Sequence, residues 1–168
     1  MDLFNTAERS MGMTDEVWMR HANPWSVWTR FTCLPLLILA IWSRAWIGWW
    51  ALLPVALACL WVWWNPRAFP VPAKTDTWAS KGTFGERVFL NRAAIPIPKH
   101  HHRWAIGLGA MSALGLLPLV WGVWRFDVTM TLLGTVLLVL PKVWFVDRMV
   151  WLFEDMKHHP DYAGWESD

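Results

Sequence analysis

WSVWTRFTCLPLLILAIWSRAWIGWWALLPVALACLWVWW, residues 25–64, decides the fold. Its only charged side chains are Arg30 and Arg44, and it contains no acid. An α-helix rises about 1.5 Å per residue and the hydrocarbon core of a bilayer is about 30 Å thick, so roughly 20 apolar residues make one crossing. The stretch is long enough for two crossings, with Arg44 at the natural turning point. The reading is one span over about 25–43 and a second over 46–64.

Two more stretches qualify, at 104–124 and 128–145. Each of the four holds one proline: Pro35, Pro54, Pro118 and Pro141. Membrane helices tolerate these, because neighbouring groups satisfy the freed carbonyls. Asn23 followed by Pro24 is an N-cap and first-turn signal for the first span. The predicted fold class is all-α: a four-helix transmembrane bundle with a small cytoplasmic cap. Residues 1–168 read as a single integral membrane domain. The cap would combine the N-terminal segment, the 66–103 loop and an interfacial helix over 146–159.

Composition agrees with this. The chain has 17 Trp against one Tyr, 55% hydrophobic residues and only 17% charged residues. Trp prefers the membrane–water boundary, where its ring is apolar and its N–H stays wet. Here Trp gathers at the span ends, at 25, 28, 42, 46, 49, 50, 61, 63, 64, 104, 121, 124 and 144, as two aromatic belts. The first 25 residues carry Asp2, Glu8, Arg9, Asp15, Glu16 and Arg20, too polar for a signal peptide. Arg44 alone occupies the turn between the first two spans, and Arg125 the turn between the last two. The other basic residues lie toward the opposite end, which the positive-inside rule makes cytoplasmic. The expectation is a multi-pass protein of the bacterial inner membrane, with both termini inside. Its partners would be membrane lipids and other membrane subunits or a second copy, with no nucleic acid.

All six histidines, His21, His100, His101, His102, His158 and His159, fall on that side. Imidazole is the commonest protein ligand for transition metals. Glu154 and His158 are four apart, as are Asp155 and His159, so each pair would meet on a helix. The candidate ligand set is His21, His100, His102, Glu154, His158 and His159, and the candidate cofactor is a transition metal. Neighbouring helical residues point about 100° apart, so the triplet cannot put three rings on one ion without unwinding. The alternative is that the histidines simply line the headgroup region. Membrane desaturases and hydroxylases resemble this layout, but their H-x-x-x-H and H-x-x-H-H boxes are absent, so none of their catalytic residues transfers. No P-loop, G-x-S-x-G, H-E-x-x-H or C-x-x-C occurs either.

TFGERVFL, 83–90, starts with Thr83 and has Glu86 three residues on, a capping-box pattern. It predicts a short interfacial helix, with Arg87 and Arg92 among lipid phosphates. Arg103 suits the same layer. Ala105, Gly109 and Ala113 form a small-residue stripe that suits close contact with a neighbouring helix. Cys33 and Cys59 read as small buried hydrophobes.

NPWSVWTR (23–30), WNPRAFPVP (64–72), WASKGTFGERVFLNR (78–92) and PIPKHHHRW (96–104) together resemble a functionally uncharacterised family of small, Trp-rich bacterial four-helix membrane proteins. The likeness implies the fold but no activity. Two functions stay open: a non-catalytic accessory or assembly subunit of a larger membrane complex, and a metal-dependent enzyme acting on a lipid-soluble substrate at the cytoplasmic face. A third is a porphyrin, carotenoid or quinone site between Trp-lined helices.

Overall fold

A computed structural model describes residues 12–167. The acidic and basic residues at positions 2, 8 and 9 lie outside them. The described residues are helical, without strands. In chain order the helices are α1 (Asp15–His21), α2 (Pro24–Arg30), α3 (Cys33–Trp42), α4 (Arg44–Ile47), α5 (Leu52–Trp64), α6 (Trp78–Leu90), α7 (Lys99–Leu114), α8 (Leu116–Arg125) and α9 (Val128–Met156).

Three helical segments are long and apolar enough to cross a membrane: Pro24–Arg67, Lys99–Arg125 and Val128–Met156. They mark the chain as a multi-pass membrane protein. The first is a 44-residue stretch containing both of the first two expected spans. It is not straight. Gly48 takes a φ of 56°, a left-handed conformation that suits glycine, and α3 and α5 pack against each other on either side of that turn. At the start of the stretch, the Asn23 side chain accepts the Trp25 N–H and Pro24 takes the first helical position. The sequence signal for that helix start is the one the chain uses.

The faces of these segments are largely bare. Trp46, Trp49, Trp50, Leu53, Leu117, Trp124 and Leu140 are all more than 60% exposed. An apolar surface this extensive belongs in lipid. Cys59 is exposed on the same surface, and only Cys33 is buried.

The packed core sits at one end of the segments. Phe84, Val88 and Phe89 of α6 meet Phe145, Val146, Met149, Leu152 and Phe153 of α9, with Ala105 and Leu108 of α7, Ala22 and Tyr162 closing the sides. α6 therefore differs from the expected short interfacial helix. It begins at Trp78, capped by Thr77, whose hydroxyl accepts the Ser80 N–H. Thr83 lies inside it and bonds back to the Ala79 carbonyl. The earlier cap wins because Thr77 precedes a run long enough to bury Phe84 and Phe89 together.

Glycine permits the central crossing. A Cβ on Gly85 would overlap the Met149 carbonyl, and one on Gly82 would stand 2.7 Å from Val146 Cγ1. Farther along, Gly115 and Gly122 of the α7–α8 arm face the α9 backbone, and Gly134 of α9 faces Leu119. The expected small-residue stripe lies differently. Ala105 is buried, Gly109 half-buried and Ala113 exposed, because residues four apart drift around a helix of 3.6 residues per turn.

At the opposite end, Arg44 donates to the Val123 and Trp124 carbonyls and lies over the Phe126 ring, 4.4 Å from its centroid. Cations suit the orphan carbonyls of a helix C-terminus.

The crossing predicts a sharp asymmetry between glycines. Gly85→Ala should cost about 3 kcal/mol or more by forcing two helix backbones apart. Gly107→Ala, whose Cβ would meet nothing within 4 Å, should leave stability unchanged or raise it slightly. Melting of the detergent-solubilised variants measures both.

Candidate functional site

α1, α2, α6 and α9 leave a cleft of about 390 Å³ between them. Its wall is mostly apolar: Trp18, Val27, Phe31, Leu34, Phe89, Phe145 and Val146. Thr83 and four nitrogen- or carboxylate-bearing side chains, His21, Arg30, Glu86 and Lys142, also line it. An apolar pocket with a few fixed polar groups is the usual form of a small-molecule site.

Each polar group has a definite state. Lys142 Nζ lies 2.8 Å from Glu86 Oε1. Burial pushes the Glu86 carboxyl up, but the Lys142 charge and hydrogen bond outweigh that and hold it below the usual carboxylate range. His21 is 5% exposed. Its Nε2 lies 3.4 Å from Arg30 Nη1, and its Nδ1 lies 2.8 Å from Ser26 Oγ. A guanidinium only donates, so Nε2 accepts and Nδ1 carries the hydrogen, giving it to Ser26. The Ser26 hydroxyl passes its own hydrogen to the Asn65 carbonyl. Burial, then the Arg30 charge, lower the imidazole pKa to about 3. His21 is therefore a neutral strut that holds Arg30 in place. No carboxylate lies within ion-pair distance of Arg30 among the described residues. Glu86 faces two cations, Lys142 in contact and Arg30 at longer range, so the cleft keeps a net positive charge.

The other sequence candidates are placed apart from the cleft. α9 ends at Met156, so His158 and His159 lie beyond its last turn and neither expected i, i+4 pair forms. Glu154 instead binds Lys81, at 2.5 Å, and Lys157, at 2.7 Å. Glu166 completes the ring with Lys81 and Lys157, at 2.8 and 3.2 Å. His159 faces Asp161. His102 stacks on Phe89. Arg87 pairs with Asp15 and covers the Trp165 ring. Arg92 donates to the Phe89 carbonyl and lies over that ring. Arg103 is exposed.

Among the described residues, His100 alone of the six candidate ligands enters a cluster of three ligand groups, alongside His101 and Asp155. Helical spacing pairs Asp155 with His159 and does not join it to His101. It relates residues along one helix, whereas this cluster joins the first turn of α7 to the last turns of α9. Arg30, Glu86 and Lys142 cannot be recognised as a site from sequence for the same reason. They lie on three helices whose mutual register no local pattern carries.

A family model covers residues 5–167, and the chain belongs to that family, described as a family of unknown function (DUF6653). No curated protein and no solved structure matches the chain.

The state of His21 sets a pH dependence. The folded protein keeps the ring neutral down to about pH 3, whereas an unfolded chain protonates it near the ordinary imidazole value of 6.5. Acid therefore favours the unfolded state, and this group's contribution is lost as pH falls below about 6.5, by at most about 1.4 kcal/mol per pH unit. His21→Gln should flatten the fall in melting temperature between pH 6.5 and roughly 5, before carboxylates titrate. Equal slopes in the two proteins would contradict the neutral assignment.

Proposed function

We propose that this protein is a non-catalytic, ligand-holding component of the inner membrane, and that its cleft takes an amphiphile with an acidic head and an apolar body. The observation that carries this is Arg30, a guanidinium with no carboxylate at ion-pair distance among the described residues, in a cleft whose wall is mostly apolar. Arg presents a planar fork of donors that matches carboxylate and phosphate oxygens. The aromatic and aliphatic wall suits a lipid-like body. The cleft also adjoins the start of the first apolar segment, so a molecule dissolved in the bilayer has a short route into it.

The proposed topology is four crossings, with both termini and the 66–103 segment in the cytoplasm. The packing of α3 on α5 supports a hairpin in the first segment. The contact of Arg44 with the end of α8 supports placing the two charge-poor turns at one end, as an even number of crossings requires. Membership of a larger complex is supported by the outer face of α7, where Gly107, Ala110 and Ala113 stay exposed and no helix among the described residues covers them.

Two measurements test this. The first is mass spectrometry of organic extracts from protein purified in mild detergent. Wild type should carry about one equivalent of an acidic amphiphile, and Arg30→Gln and Leu34→Trp should lose it while melting normally. Identical lipid complements in all three would refute the site. The second is labelling by a membrane-impermeant thiol reagent, after replacing Cys33 and Cys59 with Ser. Asp76→Cys should react only from the cytoplasmic side and Trp49→Cys only from the other. Reaction of both from one side would refute the topology.

A further inference from the structure

His100 and His101 occupy the first turn of α7, where the chain enters the helix from Pro98. Asp155 lies near the end of α9, beside them. His101 Nε2 is 2.7 Å from Asp155 Oδ2, and His100 Nε2 is 4.0 Å from the same oxygen. The two imidazole centroids are 4.0 Å apart. One ligand atom from each of the three residues lies within 4.8 Å of the others.

We infer that His100, His101 and Asp155 bind one divalent first-row transition ion. Metal–nitrogen and metal–oxygen bonds of about 2.0–2.2 Å put two donors on one ion roughly 3–3.5 Å apart. The observed separations of 2.7 and 4.0 Å straddle that range, one slightly closed and one slightly open. The required movement falls on the right residues. His101 is 3% exposed and acts as the fixed anchor. The His100 and Asp155 side chains are 64% and 50% exposed and free to change rotamer.

The donor set chooses the class of ion. Two imidazole nitrogens and one carboxylate suit Fe2+, Co2+, Ni2+ or Zn2+, whereas Mg2+ and Ca2+ prefer oxygen alone. Three protein ligands leave positions for water or another donor. The ion would join the α7 and α9 ends, and none of its three ligands lines the cleft.

His101 also sets the strength. Its Nδ1 is buried without a partner among the described residues. In the metal-free protein the ring's hydrogen therefore sits on Nε2, which donates it to Asp155. An ion at Nε2 moves that hydrogen to Nδ1, where it finds no acceptor. Leaving a buried donor unpaired weakens binding roughly ten- to a hundredfold. A micromolar site is expected rather than a nanomolar one.

The test is a Co2+ titration of the full chain in detergent, with no polyhistidine tag, after dialysis against a chelator. One equivalent should bind with the visible absorbance of a nitrogen–oxygen site, and Zn2+ should displace it. His100→Gln alters only an exposed ring. Asp155→Asn keeps an acceptor for His101 but removes the charge. Each should bind Co2+ at least tenfold more weakly while melting as wild type does. His158→Gln and Arg30→Gln should bind Co2+ as wild type does, so loss of the cleft ligand and loss of the metal are separately visible. Equal Co2+ affinity in wild type, His100→Gln and Asp155→Asn, or no Co2+ uptake by wild type at submillimolar concentration, would overturn the site and leave His101–Asp155 as a hydrogen bond tying two helices.

Discussion

The crossing of α6 over α9 at Gly85 and Met149 is the constraint from which the arrangement follows. Two helix backbones come into contact there because one of them carries no side chain at the crossing. Phe84, Val88 and Phe89 then reach the α9 core face together. Glu86, one residue past the crossing, is carried to Lys142, and Lys81, one turn earlier, to Glu154. A larger residue at position 85 would separate both ion pairs and open the core at once. The cleft and the charged ring are thus two results of one close approach.

The protein divides its hydrophobicity between two solvents. In the spans, apolar side chains face outward and helices meet through glycine. In the cap, they face inward as in a water-soluble domain, and polar groups are tied off individually. Ser80 donates to the Ala22 carbonyl, Asn23 Nδ2 donates to the Pro70 carbonyl, and Asn65 Nδ2 donates to Thr29. The tail is fastened in the same way, with Thr75 paired to Ser167 and Asn91 donating to the Tyr162 hydroxyl. Buried polar groups that find partners specify an arrangement as well as stabilise it.

What can be read from the sequence follows from which interactions are local. The apolar runs and the Asn23–Pro24 start depend on neighbouring residues, and the structure has that start and three apolar segments of spanning length, the last continuing through Pro141 into the stretch expected as a separate interfacial helix. The position of α6 is hidden, because TFGERVFL reads as amphipathic whether lipid or protein covers its apolar face. Only the α9 partner decides that, and it is more than fifty residues away. The histidine cluster shows the limit most clearly. The candidate set takes His100 and His102 and omits His101, yet His101 is the buried member, because α9 passes on its side of α7. Spacing gives Glu154 and Asp155 each a histidine four residues on, but α9 turns Glu154 toward Lys81 and Asp155 toward the imidazoles of α7.

α9 has one further consequence, arising from its length. Its 29 residues extend roughly 44 Å, against a hydrocarbon thickness of about 30 Å, and ordinary tilt removes only a few ångströms of the excess. The surplus is about two and a half turns. With Val128 at one face of the oily layer, the other face would fall near Arg148, so the surplus would carry Phe153 and Asp155 past it while Pro141 lay inside. Lys142, Phe145 and Val146, which line the cleft, would then lie just inside that face, and Asp155 with the paired imidazoles beyond it. A guest from the bilayer and an ion from solution would arrive at different storeys of the same post.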